Sequence, residues 1–192
     1  MKQQGKFLLF NVSEFDNWLK GLQLKRKITL IQNHHTWLPN YETFDKSGDH
    51  FKMLASMEKS HIERGFSEIA QNLTTFPDGT IAVCRSFETI PAGIKGANQF
   101  GICIEHVGNF DVGGNTMRAP HRATILKTNS LLLKKFGLTP STNSIVYHHW
   151  YDLTTGKRVP DGSPNTKSCP GTNFFGGNTM AACKNNFLPL LT

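Results

Sequence analysis

The chain has 192 residues, of which 38% are hydrophobic and 18% are charged. This composition excludes an intrinsically disordered protein, and the length suffices for one domain with a full hydrophobic core. The formal net charge is +7, so the candidate partners are polyanions, namely nucleic acid, an anionic membrane or an anionic cell-wall polymer. The basic residues are scattered and form no stripe with aromatic residues, so nucleic acid is not a predicted partner.

The sequence predicts no membrane-directed segment. The apolar run at residues 7–10 is too short for the core of a signal peptide, and no run approaches the length of a membrane span. We therefore expect synthesis in the cytosol. The four cysteines form no CxxC pair and are predicted to stay reduced there, with Cys84, Cys103 and Cys183 filling the core.

The first third of the chain predicts two helices and a strand. A capping-type pattern at Ser13 predicts a short helix that ends near Gly21. Residues 28–32 are apolar and predict a buried strand that leads into His34. Residues 49–65 combine an aspartate cap, apolar residues at helical spacing and a final glycine, which predicts a second helix.

The middle of the chain predicts three strands. Residues 69–76 and 80–85 are predicted to pair as a hairpin, because Pro77-Asp78-Gly79 between them has the composition of a tight turn. Residues 101–106 predict a further strand, followed by a loop rich in glycine and asparagine.

The last third predicts a helix over 125–136 that closes at Gly137, and a strand over 144–147. Residues 151–177 are rich in Gly, Pro, Asn and Thr and predict a long loop, which in a compact domain is usually functional. Strands interspersed with helices predict an α/β fold with helices on the faces of a sheet.

Two histidine doublets and one cysteine predict a metal site. His34-His35 and His148-His149 each end an apolar strand, and Cys169 lies in the late loop. Neighbouring side chains of a strand point to opposite faces, so only one histidine of each doublet can face a common metal unless the strand breaks there. Two histidines and a cysteine would leave the fourth position of a catalytic zinc open. The alternative is that these are histidines hydrogen-bonded within the core.

Other polar residues are candidates for chemistry or binding. Glu105 ends a predicted strand and could deprotonate water beside a metal, or could pair with a surface cation. Lys167 is two residues from Cys169 and could stabilise an oxyanion, or could be an ordinary exposed lysine. Trp37 and Asn98 are candidates for the lining of a groove.

Taken together, these residues resemble the zinc-dependent N-acetylmuramoyl-L-alanine amidases of the amidase type 2 and peptidoglycan recognition protein superfamily. The resemblance spans roughly residues 28–171. Its carriers are His34-His35-Thr36, His61 with Gly65-Phe66-Ser67-Glu68-Ile69, Pro77-Asp78-Gly79 with Arg85, Asn98 with Gly101-Ile102-Cys103-Ile104-Glu105 and Gly108-Asn109-Phe110, Ile145-Val146-Tyr147-His148, and Lys167-Ser168-Cys169-Pro170-Gly171.

The resemblance implies a central mixed β-sheet flanked by helices, with residues 28–192 as the catalytic domain and residues 1–27 as an N-terminal extension that carries a short helix. It implies one catalytic Zn²⁺ bound by His34, His148 and Cys169. At this point His149 remains an alternative to His148.

The resemblance also implies catalytic roles for Glu105 as the base and for Lys167, and contact with the substrate for His35, Trp37 and Asn98. One departure stands out. Many members carry a catalytic tyrosine where this chain has Gln71, and glutamine cannot act as a base, so Glu105 is expected to take that role.

The implied function is hydrolysis of the amide bond between N-acetylmuramic acid and L-alanine in peptidoglycan. A phage-type lysis enzyme, made in the cytosol and acting on the cell wall after release, is the expected biology. Two alternatives remain open from the sequence, namely a non-hydrolytic peptidoglycan-binding module and a cytosolic amidase that recycles muropeptides. The presence of Cys169 favours hydrolysis over binding alone.

Overall fold

The computed structural model describes residues 1–191 and contains one seven-stranded mixed sheet. The order across the sheet is β1-β2-β5-β4-β6-β3-β7. The strands are β1 (Lys2–Gln4), β2 (Phe7–Phe10), β3 (Leu30–His35), β4 (Leu73–Thr75), β5 (Ile81–Val83), β6 (Gly101–His106) and β7 (Ile145–Tyr147). The pairs β4–β6, β6–β3 and β3–β7 are parallel, and the pairs toward β1 are antiparallel. This confirms the predicted α/β fold with a mixed sheet.

Five α-helices flank the sheet, together with short 3₁₀ and π turns. The α-helices are α1 (Val12–Gly21), α2 (Tyr41–Ser47), α3 (His50–Glu63), α4 (Ala119–Phe136) and α5 (Met180–Ala182). The short turns are His148–Trp150, Phe174–Gly176, Cys183–Phe187 and Leu188–Leu190. None of the helices within residues 1–191 has the length and apolarity needed to cross a membrane.

The two faces of the sheet bury separate hydrophobic clusters. Strand β2 illustrates the division, because Phe7 and Leu9 join the cluster under α3, whereas Phe10 joins the cluster under α1 and α4. This alternation is the period of two that a strand imposes on its side chains. All four cysteines are buried and free, and Cys84, Cys103 and Cys183 lie in the core as predicted.

The N-terminal segment contributes more to the fold than the sequence analysis anticipates. The predicted helix is present as α1, but two strands precede it and extend the sheet, since β2 pairs with β5 and β1 pairs with β2. The cap of α1 is Asn11 rather than Ser13. Its side chain accepts a hydrogen bond from Glu14 N, and the Glu14 carboxylate accepts one from Asn11 N, which completes a capping box.

Several predicted boundaries shift. The hairpin around Pro77-Asp78-Gly79 is confirmed, but its strands shorten to Leu73–Thr75 and Ile81–Val83. Helix α4 begins at Ala119, six residues before the predicted start. Its first turn tolerates Pro120, because the N–H that proline lacks has no hydrogen-bond partner within a helix at that position. Helix α2 and the short turns after residue 177 are absent from the prediction.

A chain of buried hydrogen bonds runs behind the ends of the central strands. His106 Nε2 lies 2.9 Å from Asn33 Oδ1, which can only accept, so this nitrogen carries the proton. The Thr75 hydroxyl then donates to His106 Nδ1 at 2.8 Å and accepts from His121 Nε2 at 2.8 Å. Tyr41 OH donates to His121 Nδ1 at 2.9 Å. With all four hydrogen bonds formed, His106 and His121 each carry a proton on one ring nitrogen only and are therefore neutral.

We expect this chain of bonds to make the protein sensitive to acid. Burial lowers the pKa of His121 from 6.5 to about 3. Below pH 6.5 the imidazole of His121 is therefore protonated in the unfolded protein, whereas in the folded protein it stays neutral down to about pH 3. The folded state is thus most stable above pH 6.5 and loses stability as the pH falls from 6.5 toward 3. From His121 alone the free energy of unfolding should fall by about 1.4 kcal/mol per pH unit.

The measurement is urea unfolding of metal-free protein between about pH 4 and pH 7. The His121→Gln variant should show a shallower dependence of the unfolding free energy on pH than the parent. If the unfolding free energy of parent and variant depended equally on pH, His121 would not be the source of the acid sensitivity, because the other buried histidines are common to both proteins.

Candidate active site

A cavity of about 900 Å³ opens at the carboxyl ends of the central parallel strands. Its walls come from β3 and the turn that follows it, from α3, from the end of β6, and from the segment around residue 169. In open α/β sheets the carboxyl ends of the strands are where ligands bind, because the loops that follow neighbouring strands diverge there. The cavity is therefore the first candidate for an active site.

Three side chains with metal-binding atoms converge in this cavity. His34, His148 and Cys169 are buried, and their ligand atoms all lie within 4.8 Å of one another. Cys169 Sγ is 3.4 Å from His34 Nδ1, and the two imidazole rings are 5.0 Å apart at an angle of 75°. Two imidazole nitrogens and a thiolate are ligands that zinc prefers, and three protein ligands leave one position open.

The local backbone explains which histidine of each doublet faces the cluster. His34 lies in β3 on the same face as Glu105, its register partner on β6. Strand β7 ends at Tyr147, and the 3₁₀ turn that follows carries His148 to the cluster. His149 is engaged elsewhere, because its Nδ1 donates to Lys167 O at 2.7 Å and its backbone N–H donates to Cys169 O at 2.8 Å. His149, the alternative that the sequence left open, therefore holds the loop that carries Cys169 in place.

Gln32 sets the orientation of His34, a role that the sequence analysis misses. Gln32 Oε1 accepts from His34 Nε2 at 3.3 Å and from Ile94 N at 3.1 Å. This places the proton of His34 on Nε2 and leaves the lone pair of Nδ1 facing Cys169 Sγ. The alternation in β3 is the signal that could have identified Gln32, since residues 32 and 34 share a face.

We expect Gln32→Leu to weaken zinc binding by about 10- to 100-fold, the usual effect of losing a hydrogen bond to a ligating histidine. Competition with a zinc chelator measures this affinity. Gln32→Glu is the matched control, because its carboxylate can still accept from His34 Nε2. An unchanged affinity in Gln32→Leu would show that packing alone orients His34.

The structure places Asn98 behind the cavity wall. This residue does not line the cavity. Its side-chain oxygen accepts from Gly93 N at 3.0 Å, from Ile94 N at 2.8 Å and from Gln32 Nε2 at 3.2 Å. Asn98 therefore holds the loop over residues 93–98 and supports Gln32, and its contact with a substrate stays a prediction.

Glu105 borders the cluster. Its Oε1 is 3.9 Å from His34 Nδ1, and its side chain is 23% exposed. Its other oxygen, Oε2, is buried without a hydrogen-bond partner among residues 1–191. Burial raises the pKa of Glu105 to about 8, while the positive charges of Lys167 and Arg64 lower it. A carboxyl group with a pKa near neutrality can both accept and return a proton.

Burial also sets the protonation of the three clustered side chains. It holds the pKa of His34 well below its usual value, with a further contribution from His148. It lowers the pKa of His148 to about 4, and the charge of Lys167 adds to this. It raises the pKa of the Cys169 thiol well above its usual value, as does the carboxylate of Glu105. Both histidines are thus neutral and ready to bind a metal, whereas binding at Cys169 would release a proton.

The segment that carries Cys169 is tied to the loop after β6. Asp111 accepts from the Ser168 hydroxyl at 3.1 Å and from Thr172 N at 3.0 Å. Gly171 packs against Phe110 so closely that a Cβ there would lie 2.4 Å from the Phe110 carbonyl, and its φ is +120°. These contacts hold the late loop over the cavity, which explains how an irregular segment presents a buried ligand atom.

The remaining predicted residues line the cavity. Lys167 is exposed at its edge. His35 is buried, and its Nδ1 accepts from Phe110 N at 3.1 Å, which leaves Nε2–H as a donor. Burial lowers the pKa of His35 to about 4, so it is neutral. Trp37 stands at the rim with 55% of its surface exposed and with φ at +57°, held there by donation from its N–H to Gly108 O at 3.0 Å.

Comparison with known proteins identifies the family. The sequence profile of the N-acetylmuramoyl-L-alanine amidases, Amidase_2, matches residues 24–172. The chain belongs to this amidase family. The predicted resemblance is thereby confirmed. No curated protein is significantly similar to the chain in sequence.

Solved structures of amidases and recognition proteins share the fold at low identity. The amidase LysC from Clostridium intestinale URNW is 21% identical, with a TM-score of 0.56 over 78% of this chain and 80% of that one. A Drosophila PGRP-LB variant in complex with tracheal cytotoxin is 20% identical, with a TM-score of 0.55 over 85% and 84%. PGRP-SA from Apis mellifera is 18% identical, with a TM-score of 0.56 over 88% and 92%. At these identities the likeness shows a shared fold.

Helix α3 supplies a wall of the cavity that the sequence analysis leaves out. Lys52, Ser56 and Ser60 line it at intervals of four residues, and Arg64 follows at the end of the helix. Such spacing places side chains on one helical face, and this is the signal that could have revealed them. His61 also lines the cavity but lies outside the metal-binding cluster, and its Nδ1 accepts from Ala70 N at 3.0 Å.

Proposed function

We propose that the chain hydrolyses the amide bond between N-acetylmuramic acid and L-alanine in peptidoglycan, with one Zn²⁺ held by His34, His148 and Cys169. The observation that carries the proposal is the convergence of these three buried side chains with Glu105 in one open cavity. Membership of the amidase family supports amide hydrolysis as the reaction.

The donor set fits zinc on its own chemistry. Two neutral imidazoles and one ionisable thiol match its preference for nitrogen and sulfur, and three protein ligands are the number that a catalytic zinc would use. A zinc ion held there supplies Lewis-acid activation of water and of the substrate carbonyl group.

The protein's own residues then account for the proton transfers. Glu105 accepts a proton from the attacking water as the new bond from oxygen to the lactyl carbonyl carbon forms. When the carbon–nitrogen bond breaks, Glu105 returns this proton to the leaving nitrogen of L-alanine. The Lys167 ammonium group stabilises the negative oxygen that develops on the carbonyl. Water is consumed, and the products are a free lactyl carboxylate and a free alanine amino group.

The surface around the cavity supports a polymeric substrate. Lys52 and Arg64 supply positive charge along α3, which suits the carboxylates of a stem peptide, and the exposed Trp37 ring can stack on a sugar. The net charge of +7 favours approach to an anionic wall and its polymers. As part of the same proposal, the enzyme lyses the bacterial cell wall after its release from the cytosol.

The test is cleavage of purified peptidoglycan by zinc-loaded and chelator-treated protein. We expect new N-terminal alanine and free lactyl groups with zinc, and loss of both after chelation. Binding to peptidoglycan without new termini, in protein that holds zinc, would replace the proposal with a recognition module. Cleavage of small muropeptides but not of intact walls would favour a recycling amidase.

A further inference from the structure

The side chain of Gln71, a residue of the cavity wall, carries an acceptor that no donor among residues 1–191 uses. Gln71 is fully buried and yet lines the cavity wall. Its Nε2 donates to Thr74 Oγ1 at 3.0 Å and lies 3.5 Å from Met57 Sδ, so both of its N–H groups have acceptors. Its Oε1 has no hydrogen-bond partner within the described part of the chain.

The neighbours of Gln71 fix this orientation of the amide. A thioether sulfur accepts hydrogen bonds but cannot donate them, so an amide turned by 180° would set its oxygen against the acceptor Met57 Sδ. The Thr74 hydroxyl lies 3.3 Å from Cys84 Sγ, and the S–H of Cys84 donates to Ala82 O, so the sulfur accepts a hydrogen bond from Thr74 and the hydroxyl oxygen accepts from Gln71 Nε2. The carbonyl oxygen of Gln71 is therefore the atom left for a ligand.

A second unused acceptor lies on the same side of the sheet. Thr74, which accepts a hydrogen bond from the Gln71 amide, is the register partner of Glu105 on the neighbouring strand β6. Like Gln71 Oε1, the Glu105 Oε2 atom is buried and has no hydrogen-bond partner among residues 1–191. Both residues line the same cavity. A buried acceptor without a donor is costly, and two such acceptors on residues that line one cavity indicate a ligand that brings its own donors. A secondary amide supplies one N–H group of this kind.

We propose that Gln71 Oε1 accepts a hydrogen bond from the N–H of the scissile amide, which makes Gln71 a residue that selects amide over ester substrates. This inference rests on the proposed function, since it takes the muramoyl–alanine amide as the occupant of the cavity. The same bond orients the nitrogen beside Glu105, the group that must later return a proton to it. Glutamine acts here as a fixed acceptor.

The experiment compares two ligands that differ only in this N–H group. One is N-acetylmuramoyl-L-alanyl-D-isoglutamine, and the other carries L-lactate in place of L-alanine, so that an ester oxygen replaces the N–H without added bulk. Calorimetry with metal-free protein gives both dissociation constants without cleavage. We expect the parent to prefer the amide by about tenfold, which corresponds to about 1.4 kcal/mol.

The isosteric variant Gln71→Met removes the acceptor, and its preference should fall to about one. Gln71→Leu removes the same acceptor with a different shape and serves if Gln71→Met does not fold. A structural role for Gln71 alone would change the melting temperature and leave the preference intact. A preference that persists in both variants, or that is missing in the parent, would overturn the inference.

The outcomes also separate this inference from the proposed function. A parent that prefers the amide but fails to cleave peptidoglycan when loaded with zinc would contradict the proposed hydrolysis and leave the role of Gln71 standing. A parent that cleaves but does not discriminate would contradict only the role of Gln71. A parent that binds neither ligand and does not cleave would overturn both.

Discussion

Replacing Cys169 with serine is expected to remove zinc from the protein and to abolish amide cleavage. A serine hydroxyl does not ionise near neutral pH, so the variant loses the one anionic ligand of the cluster. Loss of a partner that only supports a ligand weakens metal binding by about 10- to 100-fold, and loss of the ligand itself should exceed this. Because a catalytic metal contributes several kcal/mol, cleavage should fall by about a thousandfold or more.

Zinc content by atomic absorption, the zinc dissociation constant and the rate of release of N-terminal alanine measure the effect. Cys183→Ser is the matched control, since Cys183 is equally buried but lies outside the metal-binding cluster. The control should keep its zinc and its activity. A Cys169→Ser protein that binds zinc as tightly as the parent would show that the metal is held by other residues.

Replacing Glu105 with glutamine is expected to reduce cleavage by about 100- to 10,000-fold while zinc remains bound, because glutamine cannot accept the proton of the attacking water. The change preserves shape and hydrogen-bonding reach, and it removes the buried carboxyl group whose pKa is raised to about 8. The effect should fall on kcat, since Glu105 acts on the reaction and not on the binding of the polymer.

Steady-state kinetics with a soluble muropeptide separate kcat from KM, and zinc content is measured on the same samples. Glu105→Asp is the control, because it keeps a carboxylate at a greater distance and should retain more activity than Glu105→Gln. Equal losses in both variants would point to a packing role for Glu105. A Glu105→Gln variant without zinc would show that Glu105 acts mainly by holding the metal site together.

Local patterns in the sequence predict elements whose stabilisation is itself local. Strand β6 occupies the predicted residues 101–106, and Gly137 ends α4 with φ at +64°, as its lack of a side chain allows. Strand β2 escapes prediction because it pairs with β5, more than 70 residues away in the sequence, and β1 in turn pairs with β2. Tertiary pairing of this kind overrides local propensity.

In the candidate site, too, some features can be predicted from the sequence and others depend on the fold. The sequence by itself determines the family and the residue types available to the cluster, because the imidazole and thiol groups of His34, His148 and Cys169 can bind a metal in any fold. Only the tertiary structure decides which residues face the cavity. Side-chain direction depends on strand register and on where a strand breaks, and these depend on contacts between distant segments.

Particular residues show this dependence. The break after Tyr147 brings His148 to the cluster and leaves His149 to hold the late loop. The packing of residues 93–98 turns Asn98 away from the cavity and toward Gln32. Gln71 is left with a free acceptor because Thr74 and Met57 occupy its nitrogen. Each outcome depends on a hydrogen-bond partner from a distant part of the sequence. Such a partner cannot be predicted from the neighbouring residues alone.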